Sequence, residues 1–211
     1  LLTYAGGDWD DTLQPADPAL AEKLVSSWTQ ALACQTARRL GEALRRPAPE
    51  LAESLRRQAD DLSEAFSAYL VRNGQIAGFL LREGERDLPL LHPEDSRTGL
   101  RCRLLPLTRS IIAELVDADQ ARRNVEQIDR YLACPDGVRL MDRPADYDGG
   151  RAKLFRRAEQ AANVGREIGL MYVHAHIRYV EAMAKLGLAK RAWEGMLAVA
   201  PPLLNESVQN A

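Results

Sequence analysis

Apolar residues recur at three- and four-residue steps early in this chain, and this period constrains the fold more than any other feature. The repeating positions are Leu20, Leu24, Trp28, Ala31, Leu32, Leu40 and Leu44. Such spacing places side chains on one face of an amphipathic helix. Asp17 and Pro18 are residues that typically begin a helix, and Pro47 would end one. We therefore predict one long helix over residues 18–45.

Most of the remaining sequence continues the helical pattern. Further helices are predicted over residues 50–72, from about 107 to 133 with a fresh start at Asp117, and over 152–163, 169–186 and 189–198. The long helices are expected to be antiparallel, and Gly187 is expected to cap the helix over residues 169–186. A short apolar run over residues 75–81 is compatible with one strand, and residues 82–103 are predicted to be irregular. The fold class that follows is all-α, with at most a short β excursion near residues 75–103.

Composition excludes several classes of protein. The 211 residues include 28 Lys+Arg and 30 Asp+Glu, for a net charge of -2, whereas a general nucleic-acid binder would carry a basic excess. No apolar run approaches the roughly 20 residues that span a bilayer, so no direct membrane insertion is predicted. Because the chain begins at Leu1 rather than Met, we interpret it as a piece of something longer.

The cysteines and histidines do not predict a metal site. Three widely spaced cysteines, Cys34, Cys102 and Cys134, form neither a zinc motif nor a disulfide framework. They are expected to be free thiols in a reducing cytoplasm. His174 and His176 would point about 200° apart on a helix, so a metal shared between them is not expected.

The segment Gly7–Asp11 is the first candidate for chemistry. Asp8, Asp10 and Asp11 lie within four residues and flank Trp9. Repulsion between the carboxylates, and exclusion of water by the indole, would raise the pKa of at least one of them. A carboxyl that is protonated near neutral pH can act as a general acid. The spacing alone is equally compatible with a solvated acidic turn or a calcium-binding loop.

Two later segments are also candidates. In residues 139–144, Asp142 and Arg143 either serve a site or form a local pair in an ordinary loop. The run of residues 165–179 contains Arg166, Glu167 and His174 close to a predicted helix start, where an anion would be stabilised. The alternative for this run is a core-facing helix whose histidines bond to the backbone.

The first and last of these segments together resemble a known family. Gly7–Asp11 reads Gly-Asp-Trp-Asp-Asp and resembles the Gly-Asp-Trp-Asn-Asp signature of glycoside hydrolase family 94, the inverting phosphorylases of β-linked glucosides. The run Gly169–Gly187 resembles a later helix of that family, and the order and distance of the two motifs fit. The continuation Thr12–Asp17 is similar to the β-1,2-oligoglucan phosphorylase branch, to which the C-terminal domain of cyclic β-1,2-glucan synthases is related.

The resemblance implies a fold and a set of residue roles. The fold would be part of an (α/α)6 six-hairpin barrel, with residues 1–211 a single segment of its catalytic domain. Asp11 matches the general acid, Trp9 and Asp8 match substrate-binding residues, and His174 matches the phosphate-binding histidine. Arg166 matches a contact to the acceptor sugar, with Glu167 beside it. Because Asp10 replaces the usual asparagine, two carboxyls compete as proton donor, and the alignment favours Asp11.

The implied reaction is cleavage of a β-glucosidic bond in a glucan or disaccharide by phosphate, which gives α-glucose 1-phosphate. Inorganic phosphate would be the co-substrate, with no metal or other cofactor. The resemblance also implies a cytoplasmic enzyme, in which a homodimer of the parent protein is one option. Part of the phosphate site, a Thr-Gly loop, would lie beyond residue 211, so we expect the isolated segment to be inactive.

The alternative function is a non-catalytic carbohydrate-binding or scaffold module of the same fold. If the polar motifs were purely structural, Asp8, Trp9, Asp11, Arg166 and His174 would not converge on one cleft. The arrangement of these residues in space therefore separates a site from a scaffold.

Overall fold

Helices account for about half of the residues that the structure describes, and short strands connect them. The computed structural model describes residues 1–4, 7–84, 86–145, 151–159 and 169–201. The helices are α1 (Pro18–Ala21), α2 (Ser27–Leu44), α3 (Pro49–Ala65), α4 (Leu104–Ile112), α5 (Ala118–Tyr131), α6 (Val173–Lys185) and α7 (Ala189–Ala198). The strands are β1 (Leu24–Ser26), β2 (Val71–Arg72), β3 (Gln75–Ile76), β4 (Phe79–Glu83), β5 (Arg86–Leu90), β6 (Ala133–Cys134) and β7 (Gly137–Val138). No helix in the described ranges is both long and apolar enough to cross a membrane.

The single helix predicted over residues 18–45 is wrong in its first third. Asp17 does begin a helix, since its carboxylate accepts the N–H of Ala19 at 2.8 Å, but α1 lasts one turn. The chain then forms β1, whose residues pair antiparallel with β4. Ser26 begins α2 because its hydroxyl accepts the N–H of Thr29 at 3.2 Å. Pairing with β4 therefore replaces the helical turns that the apolar period indicated.

Helices α2 and α3 form the antiparallel hairpin that the sequence predicted. Gln30 donates to the carbonyl of Leu62 near one end, and the Cys34 thiol donates to the carbonyl of Ala59 further along. Helix α3 continues as a π-helical turn through Leu70. The predicted stop at residues 73–74 is a tight turn between β2 and β3, and both of its residues have positive φ.

The stretch predicted to be irregular, residues 82–103, contains a second sheet strand. β4 lies between β1 and β5, and both neighbours pair with it antiparallel. Phe79, Leu80 and Leu81 of β4 are fully buried, so this three-stranded sheet is part of the core. Pro89 and the charged residues of β5 are not typical of a strand, so the sequence did not indicate one. They are tolerated because β5 lies at the edge of the sheet.

The later helices surround α4, whose side chains are almost all buried. Helix α5 begins as predicted, because the Asp117 carboxylate accepts the N–H of Gln120 at 2.7 Å. Helix α6 begins at Val173 rather than near 169, and it ends at Lys185, shortly before the predicted cap Gly187, whose φ is 73°. Helix α7 has the predicted bounds.

The helix predicted over residues 152–163 is wrong for its described part. Residues 151–159 form turns, and residues 160–163 lie outside the described part of the chain. The Glu159 carboxylate accepts the main-chain N–H groups of Lys153, Leu154 and Phe155 at 2.7–2.9 Å. In addition, Phe155 forms a β-bridge with Pro15. These contacts compete with helical hydrogen bonds and bring this segment beside residues 14–16.

The cysteines are free thiols, as predicted. Cys34 and Cys102 are buried, and Cys134 is partly exposed at the turn between β6 and β7. Burial raises the pKa of the Cys34 thiol above its usual value. The two buried thiols therefore act as small apolar core residues.

Candidate active site

The first predicted motif forms a tight loop over residues 7–11, called here the acidic loop. Gly7 has a φ of 96°, a conformation that glycine adopts at low cost, and its N–H donates to the carbonyl of Tyr4. The Asp8 carboxylate accepts the N–H of Asp10 at 2.9 Å, which closes a local turn. The loop is therefore held by its own side chains, as short polar residues before a helical turn usually are.

The carboxylate of Asp8 lies inside the protein. Its side chain has 0% exposure, and the two guanidinium nitrogens of Arg103 donate to its two oxygens at 3.1 and 2.5 Å. The hydroxyl of Ser26 donates to the same carboxylate. Burial alone would raise the pKa of Asp8, but the charge and hydrogen bonds of Arg103 outweigh it and hold the pKa below its usual value. Only main-chain atoms of Asp8 border the open cleft.

Asp10 is also fully buried, but it has fewer partners. One carboxylate oxygen accepts the N–H and the hydroxyl of Thr12, and so caps the short 3-10 turn Asp11–Leu13. The other oxygen lies 3.9 Å from a guanidinium nitrogen of Arg103 and has no hydrogen-bond partner among the described residues. Burial raises the pKa of Asp10 to about 6, despite the opposing effects of Arg103 and Thr12.

Asp11 is the carboxyl of the acidic loop that faces solvent. It is the first residue of the 3-10 turn, and the side-chain amide of Gln14 approaches its carboxylate at 3.5 Å. It borders an open cleft of about 480 Å³. The cleft is lined by Tyr4, Gly7, Asp8, Asp11, Gln14, Pro15, Pro18, Ala21 and Arg156. Among the three acids, only Asp11 is an exposed residue beside this cleft.

Trp9 joins the acidic loop to the second predicted motif. Its indole stacks on the imidazole of His174, with ring centroids 5.2 Å apart and an interplanar angle of 23°. The ring of Tyr172 meets the indole edge-on at 5.3 Å. His174 is the second residue of α6 and is exposed. The two motifs are thus in direct contact, but neither Trp9 nor His174 is among the residues that line the cleft beside Asp11.

The other two histidines have structural roles. His176 is buried on α6, where one ring nitrogen accepts the N–H of Val138 and the other lies 2.7 Å from the carbonyl of Gly195. These bonds hold the β6–β7 hairpin and α7 to α6. His92 is bonded to main-chain groups in the same way. His174 and His176 therefore face different environments, as predicted for a helix.

Two predicted site residues, Arg166 and Glu167, lie outside the described residues. The segment 139–144 is structural: the Asp142 carboxylate is almost fully buried and accepts the N–H groups of Arg101 and Cys102 at 2.8 and 3.0 Å. The sequence did not indicate Arg103 or Arg156 as site residues, and it indicated Tyr172 only as a member of the run 165–179. Arg103 lies in the stretch predicted to be irregular, and nothing in its local pattern marks it as buried.

Comparison with known proteins identifies the family of this chain. A family model described as "Glycosyl hydrolase 94 superfamily, catalytic domain" matches residues 1–211. A "1,2-beta-oligoglucan phosphorylase" of Listeria innocua serovar 6a (strain ATCC BAA-680 / CLIP 11262) is 51% identical over 213 residues. That match covers 100% of this chain and 19% of the relative, so the chain spans about a fifth of the relative's length. The chain therefore belongs to the glycosyl hydrolase 94 superfamily.

Proposed function

We propose that this chain carries the proton donor of an inverting phosphorylase that cleaves β-1,2-linked oligoglucans with phosphate. The observation that carries the proposal is the stacking of Trp9 on His174. Trp9 lies two residues before Asp11 in the sequence, and Asp11 is exposed. In the proposal, Trp9 is the sugar platform, His174 binds phosphate and Asp11 is the acid. The name of the Listeria relative supports the choice of substrate.

In this proposal Asp11 is the general acid. Its carboxyl is exposed at the cleft, whereas the carboxyls of Asp8 and Asp10 are buried and engaged by Arg103 and Thr12. A proton donor must come within hydrogen-bond reach of the glycosidic oxygen, and accessibility decides this before pKa does. The raised pKa of Asp10 therefore does not make it the donor.

His174 is the proposed phosphate ligand. It lies in the first turn of α6, where no side chain of the described residues caps the free N–H groups of the helix start. An imidazolium and a helix N-terminus both stabilise an anion. We propose that Arg166 contacts the acceptor sugar, that Glu167 also contacts substrate, and that Asp8 contributes main-chain atoms only.

The reaction then needs one carboxyl rather than two. An inverting hydrolase uses a second carboxylate to activate water, but phosphate is already an anionic nucleophile. Phosphate attacks the anomeric carbon on the face opposite the leaving group, and the glycosidic bond breaks. The proton of Asp11 passes to the departing oxygen. The products are α-glucose 1-phosphate and a glucan shortened by one residue.

The wider assignment follows the family. We propose that residues 1–211 are one segment of a catalytic domain and that the α2–α3 and α6–α7 pairs are hairpins of an (α/α)6 barrel. The proposal includes no metal or cofactor besides phosphate, a cytoplasmic location and a homodimer of the parent enzyme. A glucan-binding module without turnover is the outcome that would replace it.

The test compares Asp11→Asn with Asp10→Asn in the intact enzyme. We expect Asp11→Asn to lower phosphate-dependent release of α-glucose 1-phosphate from β-1,2-glucan by at least about 100-fold, because the general acid is lost. Asp10→Asn keeps the oxygen that caps the 3-10 turn, so its loss should stay below about tenfold. A dinitrophenyl β-glucoside, whose leaving group needs no proton, should largely restore the rate of Asp11→Asn.

Three outcomes would contradict the proposal in different ways. Near-normal activity of Asp11→Asn would remove Asp11 as donor. A large loss in Asp10→Asn that the dinitrophenyl substrate restores would assign the proton to Asp10. Glucan binding by the unaltered enzyme without phosphate-dependent cleavage would favour the non-catalytic module.

A further inference from the structure

Arg103 connects the core of the protein to the acidic loop. It immediately precedes α4, and its side chain has 0% exposure. Both of its terminal nitrogens bond the carboxylate of Asp8, one to each oxygen. We propose that Arg103 is a positioning residue: its paired bonds to Asp8 set where the carboxyl of Asp11 stands in the cleft. The inference deepens the proposed function and rests on it.

The main chain of Arg103 is held firmly. It forms a β-bridge with Met141, and the two preceding N–H groups, of Arg101 and Cys102, are bound by the Asp142 carboxylate. Because the backbone at Arg103 is already fixed, its side chain loses less conformational entropy when it forms hydrogen bonds. The position of the guanidinium is therefore defined by the core and not by the loop.

The guanidinium itself packs on an aromatic surface. Its central carbon lies 4.9 Å from the ring centroid of Phe79 on β4, and Phe79 packs against Phe155 at 5.2 Å. A cation over an aromatic face is stabilised, more so when it is desolvated. Phe155 in turn precedes Arg156, which lines the cleft. The cleft wall at Arg156 and the acidic loop are thus both connected to the packing of Phe79 in the core.

The bonds continue from Arg103 to the acid. A carboxylate that receives two parallel N–H bonds is fixed in orientation as well as in position. The oriented Asp8 carboxylate accepts the N–H of Asp10 at 2.9 Å, and Asp10 caps the 3-10 turn in which Asp11 is the first residue. Two hydrogen-bonded steps therefore separate Arg103 from the backbone that carries the proposed donor.

Lysine cannot replace this arrangement, although it keeps the charge. A lysine ammonium is a point charge on a flexible stem and does not bind both carboxylate oxygens in one plane. Arg103→Lys should therefore leave Asp8 neutralised but free to rotate. The expected consequence is a misplaced Asp11, since shifts of about 1 Å can cost about 100-fold in rate.

The experiment uses Arg103→Lys in the intact enzyme, with Arg109→Lys as the matched control. Arg109 is a half-buried arginine of α4 that donates to Gln35 at 2.9 Å, away from the acidic loop. Both variants should lower the melting temperature. Only Arg103→Lys should lower kcat for β-1,2-glucan, by about 10- to 100-fold. With dinitrophenyl β-glucoside this loss should shrink to less than about threefold, because protonation is no longer needed.

An equal loss on both substrates, or a kcat like that of Arg109→Lys, would overturn the inference. If Arg103→Lys does not fold, Ser26→Ala takes its place, because it removes one donor to Asp8 and leaves the ion pair. Ser26→Ala should lower kcat for β-1,2-glucan less than Arg103→Lys does, and this loss should again shrink with dinitrophenyl β-glucoside. Asp11→Asn is measured alongside: if it stays active, the proposed function itself fails. If it is inactive while the Arg103 variant behaves as the control, only the inference fails.

Discussion

At the scale of single residues, the acidic loop concentrates more negative charge than its one buried cation balances. Arg103 neutralises Asp8 through two short bonds and reaches Asp10 only at 3.9 Å. The remaining carboxylate oxygen of Asp10 is buried without a hydrogen-bond partner in the described part of the chain. An incompletely paired buried charge is costly, and protonation relieves the cost.

This arrangement makes stability depend on pH through Asp10. Burial raises its pKa in the folded protein to about 6, against 3.8 ordinarily. Protonation of Asp10 therefore stabilises the folded protein fully below pH 3.8, and this stabilisation is lost as the pH rises through about 6. A pKa difference of about two corresponds to about 3 kcal/mol. Relative to the unaltered enzyme, Asp10→Asn should thus gain up to about 3 kcal/mol between about pH 4 and pH 7.5.

Denaturant unfolding at a series of pH values measures this difference. Asp61→Asn is the control, because Asp61 is exposed on α3 and should give a flat difference over the same range. A constant difference between Asp10→Asn and the unaltered enzyme would show that the carboxyl of Asp10 is ionised throughout.

The sequence predicted one property of the acidic loop correctly. Crowding of three acids beside an indole predicted one raised pKa, and Asp10 has it, mainly because it is buried. From the family resemblance we expected the Trp9 and His174 motifs to belong to one site, and the two rings are in contact. The role of Arg103 could not be predicted, since its burial depends on packing against Phe79 from a distant strand.

At the scale of elements, the apolar three- and four-residue period at the start of the chain was compatible with both a helix and a short buried strand. Leu20 and Leu24 fit a helical face, yet Leu24 belongs to β1 and pairs with Leu81. Short strands that are buried on both faces show no alternation, so their apolar residues resemble a buried helix. Capping residues were more reliable: Asp17, Asp117 and Gly187 all act as predicted. Caps are local interactions, whereas strand pairing depends on residues far apart in sequence.

The junction between β3 and β4 requires a residue without a side chain. A Cβ atom added to Gly78 would lie 2.6 Å from the Cβ of Leu91 and 3.4 Å from that of Arg103. We expect Gly78→Ala to destabilise the enzyme by about 1–3 kcal/mol, because neither the strand nor the buried arginine can move freely. Thermal or denaturant unfolding measures the effect.

Gly169→Ala is the matched control for this change. Its added Cβ would meet no atom of the described residues within 4 Å, so its effect should stay within about 0.5 kcal/mol. Equal stability of the two variants would mean that the backbone at Gly78 shifts to accept the methyl group.

At the scale of the whole molecule, α6 and α7 present an apolar surface that other described elements do not cover. The exposed side chains on and around these helices are Leu170, Tyr172, Val173, Ile177, Leu188, Trp193 and Met196. An apolar surface of this kind usually marks an interface. Because the relative is about five times as long as the match, we expect other segments of the intact protein to cover this surface.

Trp193 tests that expectation. Its side chain is 62% exposed in this structure. If Trp193 is also exposed in the intact enzyme, Trp193→Gln should change the free energy of unfolding little. If the surface is covered, we expect the intact enzyme to lose about 2–4 kcal/mol of stability. Lys190→Gln on the same helix is the control, because its side chain is 84% exposed and paired only with Glu194 at the surface.

The stacking of Trp9 on His174 has a consequence for the order of folding. These rings come from distant parts of the sequence, and contacts of long sequence separation carry the largest loop-closure entropy. They are expected to form after the α2–α3 hairpin, whose helices are joined by a short connection. The arrangement at the acidic loop is then completed only when the segments on either side of α4 have come together. Recovery of activity during refolding would therefore report the end of folding, not its beginning.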